Sequence, residues 1–333
     1  MPYITYEGVA YECGTDQTVL DCLTAQGISI PSSCRSGVCQ SCLMRALGGS
    51  VPEVAQTGLK PTLVAQGYFK ACTCKPTGEL SVVLPDAAGM KLAASVLSIE
   101  PLNSDIVAVR LRPERVLDYR AGQFIRLFRD AQQSRCYSLA SVPQLERDVL
   151  EIHVRHIPGG FVSGWVHQEL RAGDAVEIAD SAGQCFYVPG EPQQPLLLLG
   201  TGSGLAPLYG IVRDALSQGH RGPVWLYHGS PSTAGLYRTA KLHALAEAYP
   251  NFHYVPCISA GVVPAGMRQG NVLEVALADR PDFTAWRVFL CGHPDLVREA
   301  KFQIFLAGAA SAEIHADPFL PSGAPLSPLP LQP

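Results

Sequence analysis

Apolar runs along this chain are short, and their texture changes twice. Between residues 92 and 188 they read as β-strands: "ASVLSI", "DIVAVRLR", "QFIRLF", "VLEIHVRH" and "DAVEIA". Gly, Pro and Asp punctuate them at short intervals, which predicts an antiparallel barrel. From about residue 192 strands alternate with helices instead. "QPLLLLG", "PVWLYHG", "NFHYVPC" and "WRVFLCG" read as strands, and "AKLHALAEAYP" and "DLVREAKFQIFLAGA" as helices. A glycine loop, "GTGSGLAPLYGIVRDALSQG", opens a further helix after the first strand. That alternation predicts a parallel α/β sheet.

Ahead of both blocks, residues 1 to 86 carry seven cysteines and end in the strand-like "ELSVVLP". The small-residue stretch "DAAGMKLAA" that follows reads as a linker. The proline-rich end, "PSGAPLSPLPLQP", predicts a disordered tail over 323–333. No internal repeat is visible.

Composition narrows the function classes. The 333 residues suffice for two or three domains. A net charge of −4 argues against general nucleic-acid binding, which needs a basic face to neutralise phosphates. No apolar run approaches the ~20 residues of a membrane helix. The start, "MPYITYEGVA", has neither a basic n-region nor an apolar h-region, so no signal peptide is expected. Eleven cysteines in such a chain fit a cytoplasmic metalloprotein better than a disulfide scaffold.

The cysteine spacing carries the first chemistry. Four residues separate Cys34 from Cys39 and two separate Cys39 from Cys42. This is the plant-type [2Fe–2S] run, which needs a distant fourth thiolate. "GYFKACTCKP" offers two, Cys72 and Cys74. Gly37, inside the loop, lets backbone approach the cluster without a Cβ in the way. Structural zinc favours paired C-x2-C units, and Cys72 and Cys74 are separated by only one residue. The segment resembles plant-type ferredoxins, whose fourth ligand closes a "GY-x-x-x-C" stretch. Gly67 and Tyr68 match it, so the resemblance implies the ligand set Cys34, Cys39, Cys42 and Cys72. Cys13, Cys22, Cys136, Cys185 and Cys257 read as ordinary packed thiols.

Two segments in the middle block suit a flat, phosphorylated ligand. "RCYSLAS" supplies Arg135, Tyr137 and Ser138. A guanidinium matches a pyrophosphate, and an aromatic side chain suits a planar ring. "HVRHIPGGFVSGWV" supplies His153 and Arg155 at alternating strand positions, then Gly159, Gly160 and Ser163, which resemble a family segment whose helix-start amides and Ser hydroxyl hold a pyrophosphate. These segments resemble the "R-x-Y-S" and second flavin motifs of the ferredoxin–NADP reductase superfamily. The resemblance implies FAD, with Arg135 on its phosphate, Tyr137 against the isoalloxazine and Ser138 toward N5. "DSAG", 180 to 183, departs from the family's "GP-x-G" and puts the local loop shape in question.

"LLLLGTGSGLAP" ends a buried strand in Gly200, Thr201, Gly202, Ser203 and Gly204, and small residues there let a dinucleotide approach the sheet's carboxyl edge. It resembles the family's "G-x-G-x-A-P" loop. "FLCGHPDLV" resembles the "C-G-x-P" turn, which implies Cys291 and Gly292 beside the nicotinamide. A 2′-phosphate would need cationic partners after the second strand. "HGSPSTAGLYR" offers only Arg238, well past Gly229, and no acidic residue for a free ribose. The resemblance to bacterial reductases, most of which use NADH, implies NADH, with NADPH the alternative.

The resemblance covers roughly residues 3 to 320. It implies three domains: a β-grasp [2Fe–2S] ferredoxin over 1–86, an antiparallel six-stranded β-barrel for FAD over 92–190, and a parallel-sheet α/β nicotinamide domain over 191–322. Taken together the chain resembles the electron-transfer reductase of a bacterial multicomponent mono- or dioxygenase, a monomer in most relatives. Electrons would pass from NAD(P)H to FAD, to the cluster, and on to a terminal oxygenase or its ferredoxin. No membrane or nucleic-acid partner is implied. Ser138 and Cys291 would shape the hydride step. Some relatives instead serve a deoxysugar dehydrase or a soluble ferredoxin. An iron–sulfur redox sensor is the reading from another class, and the intact "RCYS", "GTGSGLAP" and "CGHP" segments argue against it.

Overall fold

Two compact units, Met1–Gly89 and Met90–Pro333, make up the chain. The structure, a computed structural model, describes residues 2–32, 34–37, 40–85, 91–130 and 133–319. Cys39 and the proline-rich tail lie outside these residues.

In the first unit, β1 (Tyr3–Tyr6) and β2 (Val9–Glu12) form a hairpin. Its turn residues Glu7 and Gly8 both take positive φ, 51° and 80°, as a tight two-residue hairpin turn requires. Helix α1 (Val19–Ala25) follows, its start fixed by Thr18, whose side chain accepts from the Asp21 amide at 3.1 Å. After β3 (Leu43–Gly49), α2 (Pro61–Ala65) and β4 (Tyr68–Lys70), β5 (Leu80–Val83) returns to lie parallel to β1. The sheet order is β2-β1-β5-β3-β4. Leu20 and Leu23 of α1 share a core with Ile4, Met44, Phe69 and Leu80, so one sheet face is closed by the helix, as in a β-grasp.

The second unit begins with a barrel. Strand β6 (Lys91–Pro101) starts inside the stretch read as a linker, because Leu92, Ala94 and Val96 alternate into the barrel core. It is joined by β7 (Ile106–Pro113), β8 (Phe124–Phe128), β9 (Ser134–Ser138), β10 (Leu150–Arg155) and β11 (Ala175–Ala182). The six strands run antiparallel in the order β10-β7-β6-β11-β8-β9. A bridge from Leu139 to Ile152 joins the two edges and closes the sheet. A short helix, α3 (Pro143–Glu146), follows β9, and α4 (Phe161–Gln168) sends Val166 into the barrel core. At "DSAG", β11 slips register against β8 between Ala179 and Ala182, a bulge that bends the strand where the sequence leaves the family pattern.

A doubly wound lobe completes the unit. Its parallel sheet has the order β15-β14-β13-β12-β16-β17, built from β12 (Leu196–Thr201), β13 (Val224–Ser230), β14 (Phe252–Ile258), β15 (Arg268–Gln269), β16 (Arg287–Gly292) and β17 (Ile314–Pro318). Helices α5 (Leu205–Ser217), α6 (Thr239–Ala248), α7 (Val272–Asp279) and α8 (Pro294–Leu306) accompany them. Leu196 and Leu198 enter one core and Leu197 and Leu199 the other. Both faces of β12 are thus covered, which is why it reads as an unbroken apolar run. Each buried leucine contributes roughly 1.5–3 kcal/mol. The sequence pattern foresees four of the six strands; the edges β15 and β17 are additions, as is α7, whose start is fixed by an Asn271–Glu274 capping box.

Candidate functional site

Three of the four implied cluster ligands lie among the described residues, and two of them are buried: Cys42 is 3% exposed and Cys72 8%. Burial pushes the Cys72 thiol up to about 11, helped by a hydrogen bond and charge from Cys42 and by Cys34, while the Gly37 amide donates to it and acts the other way. These relations make Cys34, Cys42 and the Gly37 backbone neighbours of Cys72. Cys34 sits on the exposed side, accepting from the Ser36 amide at 3.5 Å. Cys74 is different. Its thiol lies in the core beside Cys13, and burial alone pushes it to about 12. Among the described residues no three side chains close as a complete ligand set; Cys39, the loop's middle cysteine, is outside them. Soft sulfur donors with a backbone N–H aimed at one of them fit an iron–sulfur cluster.

The second site is a cleft of about 1780 Å³ between the barrel and the carboxyl edge of the parallel sheet. That is well above the ~300–1,000 Å³ of a pocket for one small molecule. It opens where the chain order reverses, between β12 and β16, the switch point at which such sheets bind ligands. Arg135, Tyr137, Ser138, His153, Arg155, Gly159, Gly160 and Ser163 line its barrel wall, and Thr201, Gly202, Ser203 and Gly292 line the other. Gly200, Gly204 and Cys291 do not line it.

The two uninvolved glycines let the wall form. A Cβ on Gly200 would lie 2.6 Å from Leu208 Cδ1, and one on Gly204 would lie 2.4 Å from the Cys291 carbonyl oxygen. The loop is therefore pressed against the end of β16, just ahead of α5. On the barrel side Gly160 precedes α4, and Ser163 Oγ turns back to accept from the Ile157 amide at 3.2 Å. All the arginines of the cleft, Arg126, Arg135 and Arg155, stand on the barrel wall. Arg155 is held by Asp105 at 2.9 Å. The rim after β13 and β14 offers Ser230, Ser232, Ser259 and Asn271 instead, with no Lys or Arg among the lining residues. Arg238 is not available there. Its side chain is 6% exposed and bound to Glu151 at 2.9 Å and Glu100 at 3.8 Å.

His153 lines the cleft yet is fully engaged, with Nδ1 on Tyr237 Oη at 3.1 Å and Nε2 on Glu151 at 3.0 Å. Burial lowers its pKa, partly countered by Glu151. Burial pushes Glu151 up, but the hydrogen bond and charge of His153 and those of Arg238 overcome it and hold the carboxyl at about 2. Because Glu151 and His153 come from β10 while Tyr237 and Arg238 precede α6, this cluster ties barrel to nucleotide lobe. Asn103 adds a second tie, donating to the Gly235 carbonyl at 2.9 Å.

Two placements correct the sequence reading. Cys291 is fully buried and its Sγ faces Cys185 Sγ at 3.5 Å. It faces inward because it alternates with neighbours on a strand covered on both sides. Cys136, read as a packed thiol, is exposed and lines the cleft, since β9 turns that face outward. The residue that sequence reasoning missed is Asp317, on the edge strand β17. Ser138 Oγ donates to its Oδ2 at 3.0 Å, and burial raises the carboxyl's pKa against that hydrogen bond. The alternation in "EIHADP" was the available signal for β17, but nothing in it marks the acid.

Comparisons with known proteins agree with this division. Residues 3–77 match the 2Fe-2S iron-sulfur cluster binding domain, 94–187 the oxidoreductase FAD-binding domain, and 198–301 the oxidoreductase NAD-binding domain. The ferredoxin–NAD(P)(+) reductase component of a naphthalene 1,2-dioxygenase/salicylate 5-hydroxylase system from Ralstonia sp. is 31% identical, over 93% of this chain and 95% of its own. The reductase subunit of an aromatic O-demethylase from Amycolatopsis sp. is 33% identical, over 96% and 98%. Among solved structures, the Amycolatopsis reductase GcoB aligns with a TM-score of 0.67 at 32% identity, covering 96% of this chain and 99% of that one.

Proposed function

The chain belongs to the family of ferredoxin–NAD(P)(+) reductase components of oxygenase systems, and on that premise we propose which residues perform the relay and what receives its electrons. The protein is an oxidoreductase that uses NADH, FAD and a [2Fe–2S] cluster. When bound, the nicotinamide would supply a hydride, and the flavin and cluster together would supply the conversion of that electron pair into single-electron transfers.

The chain's own residues set the geometry. Arg135 and Arg155 hold the FAD pyrophosphate, with the amides at the start of α4 positioned by Ser163. Tyr137 packs on the flavin ring. The loop from Gly200 to Gly204 and the turn at Gly292 would receive the nicotinamide nucleotide, and the rim after β13 and β14 would offer its ribose serines rather than cations. That rim supports NADH over NADPH. Ser138 and Asp317 form a hydrogen-bonded pair across the cleft: Ser138 Oγ donates to Asp317 Oδ2 and would be held in place by it to orient the groups bound there. Cys291 acts from behind the wall by filling space under Gly292. Cys34, Cys39, Cys42 and Cys72 are the cluster ligands. The domain divisions are 1–86, 92–190 and 191–322.

The observation that carries this reading is the Ser138–Asp317 hydrogen bond, which joins the barrel wall to the nucleotide wall at the centre of one cleft. The acceptor we assign is the iron centre of an aromatic-compound oxygenase, working with this reductase in the cytoplasm. The test supplies NADH and this protein to an aromatic-ring oxygenase, a deoxysugar dehydrase and a soluble [2Fe–2S] ferredoxin in parallel. Reduction of the oxygenase centre at a rate that saturates with reductase is expected. Transfer to the ferredoxin or the dehydrase alone would replace this acceptor while leaving the relay intact.

A further inference from the structure

Lys70 is a buried cation without a buried anion. It is 5% exposed, on β4 two residues before Cys72. Its Nζ donates to the Thr57 carbonyl at 2.5 Å. Among the described residues no carboxylate pairs with it. The same ammonium lies over the cluster loop: a Cβ placed on Gly37 would meet Lys70 Nζ at 3.3 Å and Thr73 Cγ2 at 2.9 Å. Gly37 is the residue whose amide donates to Cys72. A charge removed from water needs an opposite charge or it destabilises the fold. The described side chains do not provide one, whereas four thiolates and two sulfides at the neighbouring site would.

We infer that Lys70 is the residue that sets the reduction potential of the [2Fe–2S] cluster, by holding a fixed positive charge against its binding loop. This rests on the cluster ligands proposed above. Taking up one electron from the flavin makes the cluster one charge more negative, and Lys70 itself is neither oxidised nor reduced. Net charge and hydrogen bonds around the sulfurs set such potentials, and in a site of low dielectric a nearby cation favours the reduced form. Lys70 therefore raises the potential and makes the cluster a better acceptor from the flavin. Its bond to Thr57 fixes the ammonium over Gly37.

The test uses the full chain with FAD, in four forms: native, Lys70→Met, Lys70→Gln and Lys70→Arg. Iron and sulfide are counted first; the cluster is then titrated electrochemically, with the reduced form read by electron paramagnetic resonance. Lys70→Met and Lys70→Gln are expected to shift the one-electron equilibrium at least tenfold toward the oxidised cluster, which is 59 mV. Lys70→Arg should stay within threefold of native, and the flavin potential should not move. Assembly of the cluster in Lys70→Arg but not in Lys70→Met or Lys70→Gln would equally support a requirement for charge. An unmoved potential in a fully loaded Lys70→Met protein would overturn the inference, as would failure of all three variants to assemble, which marks a packing role. A native chain that holds no iron–sulfur cluster would instead remove the ligand assignment beneath it.

Discussion

The cluster hairpin, meaning the antiparallel pair β3–β4 with the loop from Cys34 and the turn to Cys72, and the cleft are each suited to an anionic group, and by opposite means. In the hairpin, Cys42, Cys72 and Lys70 are buried, one backbone amide is aimed at a thiol, and the proposed donors lie between residues 34 and 72. In the cleft, the cations that face the ligand are partly solvated, and the walls draw on segments from Ser104 to Phe319. Buried charges interact strongly and tolerate little change, while solvated ones are screened and individually weak. The same contrast recurs within the second unit, where Arg238 is buried with Glu151 and Arg135 is exposed.

The largest expected effect is in the hairpin. Cys72→Ser should abolish the iron centre while leaving FAD bound and reducible by NADH, read by iron and sulfide content. Cys74→Ser should keep the cluster and lose only packing. The opposite pattern would transfer the ligand role to Cys74 and break the contrast at its strongest point.

Next comes Glu151→Gln, which takes the nearer carboxylate from buried Arg238 and leaves it only the more exposed Glu100 at 3.8 Å. A loss of about 3–5 kcal/mol is expected, measured by urea denaturation. The sign with pH follows from the lowered carboxyl. Because Glu151 titrates at about 2 when folded, below its ordinary 4.5, its stabilisation is fully present above 4.5 and disappears as pH falls toward 2. The gap between native and variant should close over that range and stay constant above it.

Smallest is Arg135→Ala, a solvated cation. Apoprotein titrated with FAD should bind about tenfold more weakly at low salt, as loss of one charge-assisted hydrogen bond implies. Raising the ionic strength should shrink the difference. A larger, salt-independent loss would mean that Arg135 is desolvated by the bound flavin and belongs with the buried class.

These differences also explain what the sequence could disclose. The cluster spacing is legible because Cys34 and Cys42 come from one loop whose geometry is local, and "GYFKAC" repeats a local pattern. The strands of the barrel and the glycine loop are legible for the same reason. Asp317 is not, because its role exists only when edge strand β17 is laid beside β16 and brought to Ser138, 179 residues away. Cys291 illustrates the converse. Its motif is local and correctly located at the end of β16, but the side on which a strand residue falls depends on the register of the finished sheet. His153 was placed on the ligand face by alternation, yet its partners Tyr237 and Glu151 fix it as a tie between lobes.

The most direct measurement of the relay is anaerobic addition of NADH to purified protein whose iron, sulfide and FAD have been counted. Two irons and one FAD per chain are expected, with the flavin absorbance bleaching first and the signal of a reduced [2Fe–2S] cluster following. A fully loaded protein whose flavin bleaches while its cluster stays oxidised, even when a one-electron acceptor such as cytochrome c is supplied and remains unreduced, would contradict it.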